Sequence, residues 1–197
     1  MRKMTKQAMK TNETRQRIVA TATQLMRCDG FENTSVRQIC EEANVSIGSF
    51  YHLFESKAAL LDAILGDVNS FYTDAEFDYE SDSPFLFVDR LVDSNLNLIQ
   101  TLTPTIVFKA FFEPPSGNKT IYFEQRSSNQ FTLKHLEGFQ NAGKLKKELS
   151  IEQMQTEMVS IFCGSLYTYY TLERMDIFPE KLREIYYHLF SFYLAPS

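Results

Sequence analysis

The side chains most suited to specific chemistry lie close together, between residues 47 and 57. Tyrosine, histidine and serine can hydrogen-bond to phosphate oxygens, and the ammonium group of lysine can pair with their charge. Glycine, serine and isoleucine are slim enough to approach the edge of a base. These are the properties of a nucleic-acid contact surface, and the residues that supply them are Ile47, Gly48, Ser49, Tyr51, His52 and Lys57.

Two short helices and a tight break are predicted to hold these residues in place. Ser35 and Gln38 form the S-x-x-Q pattern of a capping box, which opens a helix that runs to Ala43. Residues 44–46 (Asn-Val-Ser) break it, and a second helix follows over residues 47–54. This arrangement predicts a helix-turn-helix, the motif whose second helix lies in the major groove of DNA.

Helical periodicity extends over the rest of the chain, and no segment alternates as a strand does. The sequence predicts an all-α fold of about nine helices: a three-helix helix-turn-helix domain, then a helical ligand-binding and dimerisation domain. The helices are expected at about 12–29, 35–43, 47–54, 57–71, 84–102, 104–113, 119–140, 151–174 and 179–195. Ser150 and Gln153 form a second S-x-x-Q capping box at the start of the helix that begins at residue 151. The predicted boundaries are a basic flexible tail at 1–13, the DNA-binding domain at 14–56 and the helical domain at 57–197.

The charge of the chain is divided unevenly. The whole chain has 197 residues and a formal net charge of −5, which by itself disfavours phosphate binding. Residues 1–60, however, hold nine Lys and Arg against six Asp and Glu, a net charge of +3, and the remainder carries −8. The region with the predicted helix-turn-helix therefore has the sign that DNA binding requires.

A longer pattern covers the same region. Residues 30–64 read GFENTSVRQICEEANVSIGSFYHLFESKAALLDAI. The run, together with the residues from about 14 to 65, resembles the DNA-binding signature of the TetR family of regulators, the tetracycline-repressor superfamily. Its marks are Gly30-Phe31, Thr34-Ser35, Ile39, Ala43, Val45-Ser46, Gly48, Phe50-Tyr51, Phe54, Lys57 and Leu60.

The resemblance implies an all-α homodimer that represses transcription from a palindromic operator until a small molecule releases it. It places Thr34 or Ser35, Ser46, Ser49, Tyr51, His52 and Lys57 at DNA-contact positions. The other predicted DNA-binding residues are Arg37, Ile47 and Gly48. It places Phe31, Ile39, Ala43, Val45, Phe50 and Phe54 at packing positions. A regulator or activator of the same fold without a small-molecule inducer is the alternative.

Three residues depart from the family pattern. Asn44 stands where the family commonly has glycine, a change that a left-handed turn tolerates. Leu53 stands where histidine or tyrosine often contacts a phosphate. Ile47 offers only apolar contact, for example to a thymine methyl group, so the base preference cannot be read from it.

The acidic part of the chain is rich in aromatic residues. Of the 17 Phe and 10 Tyr, only four lie in residues 1–60. A helical domain with this many rings can line a pocket for a small, largely apolar ligand, although core and dimer packing account for aromatic residues equally well. The predicted ligand-binding residues are Phe71, Phe108, Phe111, Phe112, Tyr122, Phe123, Arg126, Phe131 and Tyr167.

The last two helices, 151–174 and 179–195, are apolar on more than one side. Together with the family resemblance, this predicts that they form the homodimer interface. A two-fold dimer would place two recognition helices about 34–36 Å apart, the spacing of successive major grooves.

Other classes of function find little support in the sequence. There is no Gly-rich phosphate loop, nucleophile elbow, CxxC or HExxH, so we expect neither an enzyme nor a bound cofactor. Asp78, Glu80 and Asp82 have the spacing of calcium ligands, but Ser83 replaces the required glycine, and we expect no metal site. A ligand carrier without DNA binding is a third possible class.

The chain is expected to work in the cytoplasm without a membrane anchor. Its N-terminus is polar and basic, with no apolar segment of a signal peptide. No uncharged stretch is longer than Met158–Leu172, which is shorter than the about 20 residues that a membrane helix needs. Cys28, Cys40 and Cys163 are widely spaced and are expected to be reduced, buried residues.

Overall fold

A computed structural model describes residues 6–67, 76–112 and 127–196. Within these ranges the chain forms nine α-helices and no β-strand, so the predicted all-α class is confirmed. The helices are α1 (Lys6–Asp29), α2 (Val36–Glu42), α3 (Ile47–Leu53), α4 (Lys57–Asp67), α5 (Pro84–Leu102), α6 (Pro104–Phe112), α7 (Ser127–Asn141), α8 (Ile151–Thr171) and α9 (Phe178–Ser191).

These helices belong to two compact units. The first holds α1–α4 and α6, and the second holds α7–α9 and all of α5 except its last residue. The boundary predicted near residue 56 thus differs from the observed division. The reason is packing: Leu60, Leu61 and Ile64 of α4 are buried, and α4 contacts both α1 and α6 within the first unit.

The core of the first unit is built from one face of each helix. On α1 the apolar residues recur at helical spacing, and those of the short helices α2 and α3 complete the same core. Its buried side chains include Ile18, Val19, Ala22, Met26, Ile39, Cys40, Phe50, Leu60, Leu61, Ile64, Ile106 and Val107.

Helix α1 begins well before the predicted position. Residues 6–13 were expected to belong to a flexible tail, but α1 starts at Lys6. This stretch contains no glycine or proline and is rich in Lys, Gln, Ala and Met, all good helix formers. The Thr11 and Thr14 hydroxyl groups donate to the carbonyl oxygens of Gln7 and Lys10, each at 2.9 Å, so these threonines do not interrupt the helix.

The serines of the two predicted capping boxes, Ser35 and Ser150, cap their helices. The Ser35 hydroxyl accepts a hydrogen bond from the Gln38 amide at 3.1 Å, and the Ser150 hydroxyl accepts one from the Gln153 amide at 3.3 Å. Each glutamine side chain donates to a carboxylate, Gln38 to that of Asp29 and Gln153 to that of Glu157. Each serine satisfies one of the free amides at its helix start.

The second unit is held together by α8, which contacts both α7 and α9. Its core alternates aliphatic and aromatic side chains from all four helices. Tyr186 is a buried member, and its hydroxyl group donates to the Met158 carbonyl oxygen at 2.8 Å, so its burial leaves no polar atom unsatisfied. The largest fully buried aromatic residues of this unit are Tyr186, Phe87, Phe139, Phe178 and Phe190.

The acidic segment before α5 folds into a turn. The amide of Asp78 donates to the Asp82 carboxylate at 2.9 Å, and the amide of Glu80 donates to the Asp78 carboxylate at 3.1 Å. Lys144 donates to the Asp82 carbonyl oxygen at 2.6 Å. Both aspartate carboxylates thus accept hydrogen bonds within their own loop. No group of three or more metal-ligating side chains occurs in the described ranges.

The three cysteines are free, and they differ in burial. Cys40 is buried on α2 as predicted, but Cys28 is exposed and Cys163 is half-buried. The prediction for Cys28 is wrong because the inward stripe of α1 passes through Ala22 and Met26, and Cys28 lies on the other side of the helix. Among the helices that the structure describes, none is both long enough and apolar enough to cross a membrane.

Candidate nucleic-acid interface

The turn between α2 and α3 is tight and is held by backbone and side-chain hydrogen bonds. Asn44 has a positive φ of 50°, the left-handed conformation expected for it. The amide of Val45 then donates to the Cys40 carbonyl oxygen at 2.9 Å. The Ser46 hydroxyl accepts from the Ser49 amide at 3.0 Å and lies 2.8 Å from the Ser49 hydroxyl. Two of the predicted contact serines are thus also the cap of α3.

Helix α3 has one anchored side and one open side. Phe50 is completely buried, and it packs edge-on against the ring of Tyr51 at 5.4 Å between centroids. Ile47 is 49% exposed and Tyr51 is 54% exposed, one helical turn apart. Gly48 and His52 are exposed beside them, and a Cβ atom at Gly48 would meet only the Ser46 hydroxyl. The predicted contact residues of α3 therefore share a face that is clear of the rest of the first unit.

The packing positions that the resemblance implies are internal. Ile39, Ala43, Phe50 and Phe54 are buried, and Phe31 and Val45 are half-buried. Their burial fixes which way the short helices face, because a seven-residue helix has little stability of its own.

Thr34 is misassigned among the predicted contacts. Its side chain is completely buried, and its hydroxyl group donates to the Gly30 carbonyl oxygen at 2.8 Å. The Thr34 amide donates to the same oxygen at 3.2 Å. The residue therefore closes the corner between α1 and α2 and has no surface to offer DNA, whereas its neighbour Ser35 is exposed.

Arg37 lies on the exposed side of α2. Its guanidinium group pairs with the Glu41 carboxylate at 2.9 Å, one turn further along the helix. Both side chains are mostly exposed, so this pair contributes little stability and can exchange for another partner. A DNA contact by Arg37 remains a prediction.

Lys57 is turned inward. Its ammonium group donates to the carbonyl oxygens of Phe31 at 2.6 Å, Thr34 at 2.9 Å and Glu32 at 3.4 Å. It also lies 4.3 Å from the centroid of the Phe31 ring. The predicted phosphate contact would compete with all of these interactions.

Two further cations border the motif without having been singled out from the sequence. The Arg15 guanidinium of α1 lies 5.4 Å from the centroid of the Phe54 ring, next to the end of α3. Lys109 of α6 lies 5.2 Å from the Phe31 centroid and pairs with the Glu32 carboxylate at 2.5 Å, which lowers the pKa of Glu32. Long-range contacts of this kind leave no local pattern in the sequence.

The predicted ligand-binding residues are not brought together within one unit. Phe108, Phe111 and Phe112 lie on α6 of the first unit. Phe131 is buried on α7, and Tyr167 is 52% exposed on α8, both in the second unit. The other four, Phe71, Tyr122, Phe123 and Arg126, lie outside the described residues.

A buried histidine forms the centre of an aromatic cluster in the second unit. His135 of α7 is only 2% exposed, and its ring lies 4.4 Å from that of Phe131 and 4.7 Å from that of Phe77. The Tyr79 hydroxyl group lies 2.9 Å from His135 Nδ1. Burial, with a smaller contribution from the charge of Lys134, lowers the pKa of His135 to about 4.

Other buried polar groups on α7 are bound to neighbouring protein atoms. The Gln155 side chain of α8 donates to the Asn129 carbonyl oxygen at 2.7 Å. The Thr132 hydroxyl group donates to the Ser128 carbonyl oxygen at 2.7 Å. The Gln155 and Thr132 side chains thus make hydrogen bonds inside the second unit.

The second unit also has an open cleft of about 560 Å³ between α5 and α9. None of the predicted ligand-binding residues lines it. Three of its six lining residues are charged, and one of them, Arg183, is paired with Asp89 and Asp93. The lining residues are Leu96, Pro179, Glu180, Arg183, Glu184 and Tyr187.

Comparison with known proteins points to one family. Residues 18–64 match the family described as bacterial regulatory proteins, tetR family. The HTH-type transcriptional regulator UidR of Escherichia coli (strain K12) is 40% identical over 52 residues, which are 26% of this chain and 26% of UidR. The aligned segment therefore spans only about a quarter of that relative's length.

Solved structures extend the likeness to the whole fold. FadR of Thermus thermophilus, a TetR family transcriptional repressor in complex with lauroyl-CoA, has a TM-score of 0.68 at 21% identity, over 93% of this chain and 96% of that one. The transcriptional regulator FadR of Bacillus subtilis, in complex with stearoyl-CoA, has a TM-score of 0.64 at 14% identity, over 90% and 98%. At these identities the likeness shows a shared fold.

The segment that carries the family pattern includes the second half of α1, both helices of the helix-turn-helix and the buried face of α4. Its packing residues are internal, its serine caps are formed, and the face of α3 beside them is open. Residues 18–64 thus carry the sequence signature of the tetR family of bacterial regulatory proteins, and the chain has a fold that solved regulators share.

Proposed function

We propose that this chain binds double-stranded DNA through the open face of α3 and regulates transcription from the sites it occupies. The observation that carries the proposal is the contrast within α3 between Phe50, which is completely buried, and Ile47 and Tyr51, which are about half exposed. Phe50 anchors the helix, and the opposite face stays free to enter a groove. The major groove, about 12 Å wide, admits an α-helix.

The leading end of α3 suits the reading of base edges. In helix-turn-helix proteins the N-terminal residues of the second helix contact bases. Here Ile47 is apolar and exposed, and Gly48 adds no side chain beside it. An apolar side chain in the major groove finds the thymine methyl group, the one apolar feature that a base pair displays there.

Charge supports the same face. The net charge of +3 in residues 1–60 attracts phosphates, and the −8 of the remainder repels them. With this distribution of charge, the first unit is expected to face the DNA, and the affinity for DNA is expected to fall as the salt concentration rises.

The first test is DNA binding by the chain and by an Ile47→Asp variant. We expect salt-dependent binding to DNA from upstream of the protein's own gene. A carboxylate at this exposed position leaves the fold unchanged but meets the phosphates and base edges, so affinity falls by about 100-fold or more, as expected for the loss of about 3 kcal/mol. Fluorescence anisotropy at several salt concentrations measures the DNA affinity of each protein and its dependence on salt.

Leu86→Asp is the matched control, because Leu86 is 38% exposed on α5 of the second unit and the change adds the same charge. It should leave DNA affinity within about twofold of the parent, a difference of under about 0.5 kcal/mol. Equal losses in the two variants would contradict a specific role for α3, and an absence of salt-dependent binding to any DNA would favour the ligand-carrier class.

The functional form is further proposed to be a homodimer through α8 and α9, bound to a palindromic operator. Large apolar side chains lie exposed there: Tyr167 on α8, Leu172 at its end and Phe192 at the end of α9, at 52%, 63% and 58% exposure. A second copy would cover them. We expect a dimer by sedimentation, and a shift toward monomer in Leu172→Asp; a monomeric parent protein at micromolar concentration would contradict this arrangement.

We also propose that a small, largely apolar molecule releases the protein from DNA, which makes it a cytoplasmic repressor. Support comes from the two FadR structures, which share the fold and hold acyl-CoA molecules. The test adds lauroyl-CoA, stearoyl-CoA or the free fatty acids to the protein–DNA complex and measures the release of DNA. It distinguishes a ligand-released repressor from a regulator without an inducer. Release by any of them supports the repressor; DNA binding that no apolar compound alters supports the alternative, a regulator or activator without an inducer.

A further inference from the structure

The ring of Tyr79 lies in a notch on one side of α7. Gly138 is the floor of this notch, because a Cβ atom added there would lie 2.5 Å from Cε1 and 2.6 Å from Cε2 of the Tyr79 ring. Gly138 lies inside α7, where glycine is less favourable than alanine. The helix thus has a destabilising residue at the point where an aromatic ring packs directly against its backbone.

A buried polar group lies at the end of the same notch. His135 precedes Gly138 by three residues on α7, so the two share one face of the helix. Its Nδ1 atom lies 2.9 Å from the Tyr79 hydroxyl group. Burial lowers the pKa of His135 to about 4, so the imidazole is neutral at pH 7. A neutral imidazole has one donor and one acceptor nitrogen, and it can therefore bind a hydroxyl group in either direction.

Aromatic rings form the walls of the notch. The Phe139 ring meets the Tyr79 ring edge-on, at 5.1 Å between centroids. Phe77 lies 5.8 Å from Phe139, and Phe87 lies 5.9 Å from His135. Apolar walls with a small number of placed polar groups are typical of small-molecule sites. The flat space and the single polar group match an aromatic ring that carries a hydroxyl group.

The residue that fills the notch comes from a segment without a helix. Residues 76–83 form a turn, in which the exposed amide of Glu80 donates to the Asp78 carboxylate. Hydrogen bonds between exposed groups contribute little net stability, because water can replace them. Tyr79 itself is only half-buried, whereas His135 and Phe139 are buried on α7. Tyr79 can therefore leave the notch while α7 stays in place.

We propose that the notch formed by His135, Gly138 and Phe139 is an effector site for a small hydroxyaryl compound, and that Tyr79 fills it until such a compound takes its place. The ring of the compound lies against Gly138, and its hydroxyl group bonds to His135 Nδ1. The regulatory part of this inference rests on the proposed release from DNA by a small molecule, and it names the class of that molecule as a phenol.

Tyr79 competes with any such compound because the chain holds it beside the notch. A group attached by a short flexible segment acts at an effective concentration in the millimolar range. The apparent dissociation constant of a phenol is raised by the fraction of time that the notch is filled. Removal of the Tyr79 ring should therefore raise the affinity of the protein for phenols.

The experiment measures the binding of 4-ethylphenol and of ethylbenzene by isothermal titration calorimetry, with circular dichroism to show that each variant is folded. We expect the parent to bind 4-ethylphenol with a Kd of about 1 mM or lower, and Tyr79→Ala to bind it at least about tenfold more tightly. Ethylbenzene has no hydroxyl group and leaves the His135 nitrogen unpaired, so it should bind Tyr79→Ala at least about tenfold more weakly than 4-ethylphenol.

Two outcomes of this titration would overturn the inference. One is a parent protein that binds no 4-ethylphenol at millimolar concentration. The other is equal affinity of Tyr79→Ala for the two compounds, which indicates a cavity made by the substitution and not a site for a hydroxyl group.

The double variant Tyr79→Ala/Gly138→Ala is the matched control. Its added methyl group occupies the place of the ring and leaves His135 unchanged. We expect it to bind 4-ethylphenol at least about tenfold more weakly than Tyr79→Ala, the effect of one methyl group in a fitted site. Equal affinity of the two variants would place the phenol elsewhere and contradict the assignment of the notch.

Nuclear magnetic resonance of the histidine side chains locates the bound compound in the parent protein. The chain has three histidines, and His52 and His188 are exposed. We expect 4-ethylphenol to shift the ring nitrogen signals of His135 and to leave those of His52 and His188 unchanged. Binding that leaves the His135 signals unchanged refutes the inference.

DNA binding separates this inference from the proposed function. Release of DNA from the parent by 4-ethylphenol supports both. Binding at His135 without release of DNA leaves the site standing and contradicts the ligand-released repressor. Release of DNA by an acyl-CoA, from a protein that binds no phenol, leaves the repressor standing and refutes the hydroxyaryl site.

Discussion

Acidification from pH 7 to pH 4 lowers the free energy of unfolding of the second unit through His135. The sign follows from proton binding. In the unfolded chain the imidazole has a pKa of 6.5, whereas burial lowers it to about 4 in the folded unit. Between these pH values His135 is protonated in the unfolded state but not in the folded state. Its contribution to the free energy of unfolding is therefore fully present above pH 6.5 and is lost as the pH falls toward 4. The loss is about 3 kcal/mol, at 1.36 kcal/mol for each pKa unit.

The measurement is urea unfolding at a series of pH values for the parent and for His135→Gln. The glutamine variant is less stable at pH 7, because it disturbs the contacts with Phe77 and Phe131, but it lacks the proton-linked loss. Carboxylates titrate in both proteins, and subtraction of the two profiles removes their effect. The difference in free energy of unfolding between the parent and His135→Gln should decrease by about 3 kcal/mol from pH 7 to pH 4.

His188→Gln is the control, since His188 is an exposed residue of the same unit. Its pH profile should run parallel to that of the parent. Parallel profiles for His135→Gln as well would show that His135 takes up its proton without unfolding the unit, and the prediction would be wrong.

Phe50→Ala is expected to destabilise the first unit by about 3–5 kcal/mol, the range for removing a fully buried phenylalanine side chain. Phe50 has no exposed surface, and its ring lies 5.4 Å from that of Tyr51 and 5.5 Å from that of Phe54. A short helix such as α3 is held by its packing, so loss of this anchor also removes DNA binding. Thermal and urea unfolding of the full chain give the stability change.

Tyr51→Ala provides a matched comparison, because it removes an aromatic ring from the next residue of the same helix. Tyr51 is 54% exposed, so we expect a stability loss of about 1 kcal/mol or less. DNA affinity should nevertheless fall, since Tyr51 belongs to the face proposed to meet DNA. Similar stability losses in the two variants would contradict the division of α3 into an anchored and an open face.

Local signals in the sequence were reliable where the structure depends on neighbours in the chain. The caps at Ser35 and Ser150 are formed as predicted. Asn44 adopts its left-handed turn, and the buried positions Ile39 and Phe50 follow from helical periodicity. Each of these features is decided within about one helical turn, so the residue types and their spacing are sufficient.

The interpretation of individual polar residues was less reliable. Thr34 and Ser35 are adjacent hydroxyl residues in the same signature, yet one is completely buried and the other is exposed. Residue type indicates that a side chain can hydrogen-bond, but its partner depends on the path of the backbone around it. The corner at Gly30 turns the Thr34 hydroxyl group inward. No local sequence pattern predicts this orientation.

The sequence by itself determined the all-α class and the helix-turn-helix, because periodicity, caps and a long ordered family signature are local and mutually consistent. Tertiary structure alone decided that α4 and α6 join the first unit, that the Lys57 ammonium group donates to the corner between α1 and α2, and that His135 is buried beside Tyr79. These outcomes depend on contacts between residues far apart in the chain. They are determined by which side chains are buried and by which hydrogen-bond acceptors lie within reach, and neither is defined until the helices have packed.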